Sequence, residues 1–267
     1  MNAACSDSDA VGMTTLHVDG VNRWFDSNPQ QHTLVLQEIT FEAKAGEFLV
    51  VRGPNGCGKS TLMNLLAGLD TPSKGGVLVN KEHPSQATVG YLFQDYSGSL
   101  LPWMTLGENA TLALKVKGIS RSQRRDILFA LAADTRLAPL PFDLYPYQCS
   151  GGQQQKACFL RSLLASETFL ILDEPFASLD RNSRDKIVAR LNKIHASARA
   201  LVLLVVHDLD DAILLADRIL CLDGTPATIR DIVPVKLPWP REPAIRVESS
   251  FLNIRRRVLE SFGELHH

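Results

Sequence analysis

"RGPNGCGKST", residues 52–61, follows directly on the apolar run "FLVV" at 48–51. The stretch joins a buried strand, a glycine-rich turn and a Lys-Ser-Thr helix start, and Gly53-x4-Gly58-Lys59-Ser60 has the spacing of a phosphate-binding loop. Its glycines let the backbone of Gly53, Pro54, Asn55, Gly56, Cys57 and Gly58 curl around phosphate oxygens, and Thr61 continues the binding turn. Lys59 would reach the β and γ phosphates and Ser60 would offer a Mg²⁺ ligand, so a nucleotide held with Mg²⁺ is expected here. The competing reading, a tight turn with an ordinary surface lysine, does not account for the strand and helix on either side. Cys57 lies within the loop, where Lys59 and a helix N-terminus would favour an ionised, reactive thiol.

Outward from the loop, short apolar runs and helical patterns alternate. "LQEITFEAKAGEFLVV" reads as strand, turn and strand, and "STLMNLLAGL" as a helix ended near Gly68. "VGYLF" at 89–93 reads as a further strand. Residues 105–147 turn helical and more polar, with "RSQRRDILFALAAD" the clearest amphipathic piece. "FLILD" at 169–173 and "ALVLLVV" at 200–206 return to continuous apolar strands of the kind buried on both faces. Between them "RNSRDKIVARLNKIHASAR" is a charged helix whose His195 is expected to be solvated. Beyond Asp223 a proline-rich, loop-like stretch precedes a last helix, "FLNIRRRVLESF".

The 267 residues carry a formal net charge of −1, which supplies no basic field to attract nucleic acid. Five scattered cysteines without a CxxC pair indicate neither a disulfide framework nor a zinc site, and they fit a reducing cytoplasm. No apolar run approaches the ~18–20 residues that span a bilayer, and residues 1–13 read as a polar, disordered tail and not an export signal. Work at a membrane would require a partner.

A second signal separates this phosphate loop from those of kinases, GTPases and recombinase-type motors. "CSGGQQQ" at 149–155 lies twenty residues before "FLILDEP". Together with Gln94 in "FQD", "SLD" at 178–180 and His207 in "VVHD", this order resembles the ABC ATPase family from about Leu16 to Asp223. The resemblance implies an α/β fold: a P-loop NTPase core with a mostly parallel sheet, an antiparallel β subdomain and an inserted helical subdomain. The expected division is a tail at 1–13, an ATPase domain at 14–225 with its helical subdomain at about 100–165, and a C-terminal extension at 226–267.

Residue by residue, the resemblance makes Lys59, Gln94, Glu174 and His207 catalytic. Ser60, Gln94 and Asp173 become the metal ligands. Asp173 ends an apolar strand, and Glu174, one residue on, points elsewhere and can polarise the attacking water. Taken alone, Asp-Glu could open a solvated turn and His207 could be a structural histidine. Ser150, Gly151, Gly152 and Gln153 form a helix N-terminus suited to an anion, and the resemblance places there the ATP of a second ATPase subunit arranged head to tail. Cys149 and Lys156 depart from the usual leucine and arginine without removing a phosphate donor. Phe25 is the favoured adenine-stacking aromatic and Trp24 the alternative, and either could be core.

"SLLPWMTLGENATL" at 99–112, "LDEPFASLD" and "LPWPRE" are similar to importers of the nitrate, sulfonate and taurine type. That likeness implies transmembrane permease subunits docked at Leu101, Pro102 and Trp103, with Trp103 as subdomain core the alternative. It also implies an external or periplasmic solute-binding protein acting indirectly, a peripheral place on the cytoplasmic face of the inner membrane, and no nucleic acid. The inserted "DYSGS" after Gln94 would reshape the docking groove, and "IRRR" at 254–257 reads as a solvated face more than a lipid contact. The other function classes are a soluble repair or translation ATPase, for which no fused second ATPase or coiled coil is visible, and a non-catalytic regulator, which should lack Lys59 or Glu174.

Overall fold

The computed structural model describes residues 14–28 and 31–262, so the tail at 1–13 lies outside the described residues. The first elements in chain order are β1 (Thr15–Asn28), β2 (Gln31–Lys44), β3 (Phe48–Arg52), α1 (Lys59–Leu66), β4 (Lys74–Val79) and β5 (Gly90–Leu92). A helical region follows, with α2 (Leu106–Ala110), α3 (Leu112–Val116), α4 (Arg121–Asp134) and α5 (Gly151–Ala165). The chain then returns to strands with β6 (Phe169–Asp173), α6 (Arg181–Ala196), β7 (Leu201–Val205), α7 (Leu209–Leu215), β8 (Arg218–Asp223), β9 (Thr228–Pro234) and α8 (Ser249–Ser261).

Two sheets result. One is antiparallel in the order β2-β1-β4; the other has the order β5-β6-β7-β3-β8-β9 and is parallel except for β9. The continuous apolar runs of β3, β6 and β7 are explained by burial on both faces. Phe48, Val50, Leu170, Leu172, Val202 and Leu204 face a core shared with α5, α6 and α7, while Leu49, Val51, Phe169, Ile171, Leu201 and Leu203 face α1 and the antiparallel sheet. Each such side chain contributes about 1.5–3 kcal/mol on burial.

The helical region follows the sequence reading through α4, which is the segment "RSQRRDILFALAAD", but residues 135–150 contain only a 3-10 turn at Pro146–Gln148. Its helices start where local chemistry dictates: Thr105 with Glu108, Ser120 with Gln123 and Ser150 with Gln153 each form a reciprocal capping box. The stretch after Asp223 also departs from its loop-like reading. Residues 228–234 add an antiparallel edge strand against β8, and Val233, Val235 and Leu237 are buried in the main core.

Register sets the site. Val51 pairs with Val205, and Val205 pairs with Asp173, so the exits of β3, β7 and β6 stand abreast at one end of the parallel sheet. Crevices at the carboxyl ends of parallel strands are where open α/β sheets bind ligands.

Candidate nucleotide site

The glycine loop leaves β3 at Arg52 and enters α1 at Lys59. Gly58 caps the helix at φ 107, and a Cβ there would lie 2.8 Å from Val35 Cγ1; one on Gly53 would lie 2.6 Å from the Leu222 carbonyl oxygen. Both positions therefore exclude a side chain. Lys59 is buried and donates to the carbonyls of Gly53 (3.0 Å) and Pro54 (2.9 Å), so its ammonium is held over the loop. Pro54, Asn55 and Gly56 are exposed at the rim, and Thr61 is half-buried in the first turn of α1.

Ser60, the next residue, donates to Asp173 Oδ2 at 2.7 Å and lies 3.3 Å from Gln94 Oε1. Gln94 Nε2 donates to Glu174 Oε1 at 2.8 Å, and His207 Nε2 meets the same oxygen at 2.6 Å. A carboxylate only accepts, so His207 Nε2 carries the proton in this pairing. Five residues from four separate segments of the chain thus form one hydrogen-bonded chain beside the phosphate loop. Glu174 sits at φ 53, a left-handed conformation that costs a non-glycine residue about 1 kcal/mol or more. Its N–H donates to the Val205 carbonyl at 3.0 Å, and its carbonyl accepts from Gln155 Nε2 at 3.2 Å.

Asp173 is 2% exposed, and burial raises its pKa despite the Ser60 hydrogen bond. Its Oδ1 is buried without a hydrogen-bond partner. One orphaned carboxylate oxygen, a serine hydroxyl and an amide oxygen are a hard-oxygen set that fits Mg²⁺, which takes few protein ligands and keeps waters. Among the described residues no group of three or more His, Cys, Asp or Glu is arranged around a metal.

The remaining expected residues lie elsewhere. Ser150 accepts from Gln153 N at 3.3 Å while Gln153 Oε1 accepts from Ser150 N at 2.9 Å, so this helix start satisfies itself locally. A Cβ on Gly151 would lie 2.9 Å from the Tyr96 hydroxyl, and one on Gly152 3.2 Å from the Ser178 carbonyl oxygen. No hydrogen bond joins Ser150, Gly151, Gly152 or Gln153 to the phosphate loop among the described residues. Phe25 is 41% exposed on β1, with the Arg23 guanidinium 4.4 Å from its ring centroid, whereas Trp24 is half-buried. Trp103 is 72% exposed, which removes the reading of it as subdomain core; Pro102 is exposed and Leu101 half-buried.

Two expectations are corrected. The Cys57 thiol is 6% exposed, and burial pushes its pKa up by more than the Lys59 charge lowers it, so it is not an activated thiolate. His195 is not solvated: its Nε2 meets Asp217 at 3.0 Å and its ring stacks on Trp239 with centroids 3.7 Å apart. The three arginines of "IRRR" are exposed, in keeping with the solvated face expected of them, and Arg255 and Arg257 form ion pairs there with Asp210 at 3.2 Å and Asp231 at 3.6 Å.

Sequence reasoning missed Tyr96, Ser178 and Gln155. The Tyr96 hydroxyl meets Ser178 Oγ at 2.8 Å, and Gln155 Oε1 accepts from Ser178 N at 2.9 Å, so the segment after Glu174 is tied to both neighbouring segments. The inserted "DYSGS" forms a compact turn, in which Asp95 Oδ1 accepts from Gly98 N and Ser99 Oγ donates to the Tyr96 carbonyl.

Known proteins share these features. The sequence profile of the ABC transporter family matches residues 36–177. An uncharacterised ABC transporter ATP-binding protein of Methanocaldococcus jannaschii is 36% identical over 91% of this chain and 90% of its own length. The aliphatic sulfonates import ATP-binding protein SsuB of Bacillus cereus is 35% identical over 93% of this chain and 96% of its own. The nitrate import ATP-binding protein NrtC of Synechococcus elongatus is 35% identical over 92% of this chain, which spans 38% of that longer protein. A solved dimeric ATP-binding cassette in a post-hydrolysis state, bound to ADP and Pi, superposes with a TM-score of 0.76 at 25% identity, covering 84% of this chain and all of the other. With the phosphate loop, the linked carboxylates and these relatives in agreement, the chain belongs to the ABC transporter family as an ATP-binding, ATP-hydrolysing subunit.

Proposed function

We propose that this ATPase drives import of a small anionic solute, nitrate, a sulfonate or a taurine-like compound, through separate permease subunits on the cytoplasmic face of the inner membrane. The observation that carries the catalytic part is the hydrogen-bonded chain from Ser60 through Asp173, Gln94 and Glu174 to His207. The sulfonate and nitrate importers among its relatives support the solute class. An external or periplasmic solute-binding protein would deliver the solute.

In this reading the backbone from Gly53 to Gly58, with Lys59, Ser60 and Thr61, binds the phosphates, and Phe25 stacks on adenine. Ser60, Gln94 and Asp173 would hold Mg²⁺, which supplies charge neutralisation of the phosphates when bound. Glu174 polarises the attacking water and holds its proton, while Gln94 and His207 orient that carboxylate. Ser150, Gly151, Gly152 and Gln153 serve ATP on a second ATPase subunit, in keeping with the lack, among the described residues, of any hydrogen bond from them to the phosphate loop of their own chain. Closure of two such chains around ATP would move the permease, and hydrolysis would release it.

The test is Glu174→Gln. This variant should keep ATP affinity, lose turnover and accumulate a dimer with ATP; gel filtration showing only monomer would count against the two-chain site. Vesicles carrying the complex should take up labelled nitrate, taurine or an alkanesulfonate only when supplied with ATP. A chain that extracts from membranes with no permease would sink the importer reading.

A further inference from the structure

Four side chains of the segment after β9 reach one short stretch of chain. Arg241, 1% exposed, donates from Nη1 to the carbonyls of Ile213 (2.9 Å) and Ala216, and from Nη2 to those of Val235 (3.1 Å) and Leu237 (3.1 Å). It thereby caps the last carbonyls of α7 while fixing its own segment. Trp239 Nε1 donates to Asp217 Oδ1 at 2.9 Å, Arg246 meets the buried carboxylate of Asp211 at 3.2 Å, and Arg255 meets Asp210 at 3.2 Å. Phe251 and Val258 of α8 are buried in the main core, and Val258 is fully so.

All four of these side chains grip residues 210–217, and α7 begins two residues after His207. A seven-residue helix is not stable alone, so its position is set by what packs on it. From the other side, among the described residues, Arg184 of α6 meets Asp208 and Asp211, and His195 of α6 meets Asp217. We propose that residues 235–262 are a clamp that positions the switch histidine, with Arg241 as its anchor and Arg246 and Arg255 as lateral ties. The clamp acts through α7: when the helix is free to slide or rotate, His207 Nε2 no longer meets Glu174 Oε1 at 2.6 Å. Arg241 touches no nucleotide-binding residue and is a positioning residue. Asp217, which also accepts from Phe48 N at the start of β3, keeps the clamp in register with the strand that feeds the phosphate loop.

The inference rests on the role proposed above for His207, and the experiment separates the two. Turnover and KM for MgATP are measured on full-length Arg241→Met, on the double variant Arg246→Gln/Arg255→Gln, and on each of these combined with His207→Ala. Rates are normalised to folded protein by ATP-binding stoichiometry. Arg241→Met should lower kcat about tenfold with KM unchanged, since small displacements of a catalytic group carry such costs. The surface double variant, which leaves the carbonyl cage intact and keeps the test valid should Arg241→Met fail to fold, should lower kcat about threefold. Neither change should slow the His207→Ala protein further. A loss of the same factor in the His207→Ala background, or no loss per folded molecule in the parent, overturns the clamp. Hydrolysis by His207→Ala at the parent rate would sink the reading of the site and the clamp with it, whereas a slow His207→Ala beside an unaffected Arg241→Met sinks the clamp alone.

Discussion

Asp173 ends a strand buried on both faces, yet the Mg²⁺-binding role proposed for it requires a charged carboxylate. Burial raises its pKa, so the native state binds its proton more tightly than the unfolded chain does. The cost of keeping it ionised applies above the native pKa and disappears as pH falls through that value, so this residue makes the free protein less stable at neutral pH than in mild acid. Asp173→Asn should therefore raise the thermal stability of the nucleotide-free protein by about 1 kcal/mol while weakening Mg²⁺-dependent turnover. Thermal melts read against ATPase assays check both halves, and a destabilised Asn variant would contradict the assigned cause. Cys57 shows the opposite lesson. Its neighbours Lys59 and the α1 N-terminus suggest a reactive thiol, but the Sγ lies under the loop, where a Cβ on Gly53 would come within 2.9 Å of it. Maleimide should label Cys57 slowly in the native protein and quickly in urea, as peptide mass mapping would show; rapid native labelling blocked by MgATP would restore the activated-thiolate reading.

At the scale of elements, the segment running from Glu174 to Ser178 depends on one side chain of α5. Gln155 is 1% exposed and satisfies both the Glu174 carbonyl and the Ser178 N–H. Gln155→Leu would leave the Ser178 N–H unpaired near the left-handed turn at Glu174, whose carbonyl keeps the Ala177 N–H at 3.3 Å, at a cost of about 1–3 kcal/mol. The expected outcome is a lower urea midpoint together with a kcat that falls more than ATP affinity does. A variant as stable and as fast as the parent would show the turn to be held without Gln155, by its contacts to Val205, Ala177 and Tyr96. Nothing in "GGQQQ" says which glutamine points inward, because that is decided by where β6 exits the sheet. The same division separates what was legible from what was not. The phosphate loop, the strand ending in Asp173 and the capping boxes are local patterns, readable because their physics is complete within a few residues. The edge strand β9 depends on its register against β8, and the burial of Arg241 on α7 carbonyls more than 20 residues away, and a run of prolines and charges conceals both.

For the whole molecule, the proposed permease contact bears on how the helical region presents its surface. The site lies at the carboxyl ends of the strands, and Gln94 links it through Tyr96 and the Ser99 turn to the segment at 101–103. There Arg161 anchors Ser99 from α5, and Asn109 accepts from Leu101 N at 2.8 Å, so the backbone leading to Trp103 is fixed while the indole itself is left in solvent. A rigidly presented aromatic with most of its surface exposed suits an anchor for another chain, since aromatic anchors dominate interface energetics. Residues of the clamp and the site owe nothing to this indole. Trp103→Ala is thus expected to leave the melting temperature and basal ATPase rate of the purified chain within about 0.5 kcal/mol and twofold of the parent. It should also reduce the amount of permease recovered with the chain from membranes by at least about tenfold, the effect of losing roughly 1.4 kcal/mol or more at an interface hot spot. Quantitative pulldown from membranes and vesicle uptake measure the second half. Undiminished recovery and transport would place the permease contact elsewhere on the helical region, and a fall in basal ATPase without a change in recovery would tie Trp103 to the nucleotide site instead.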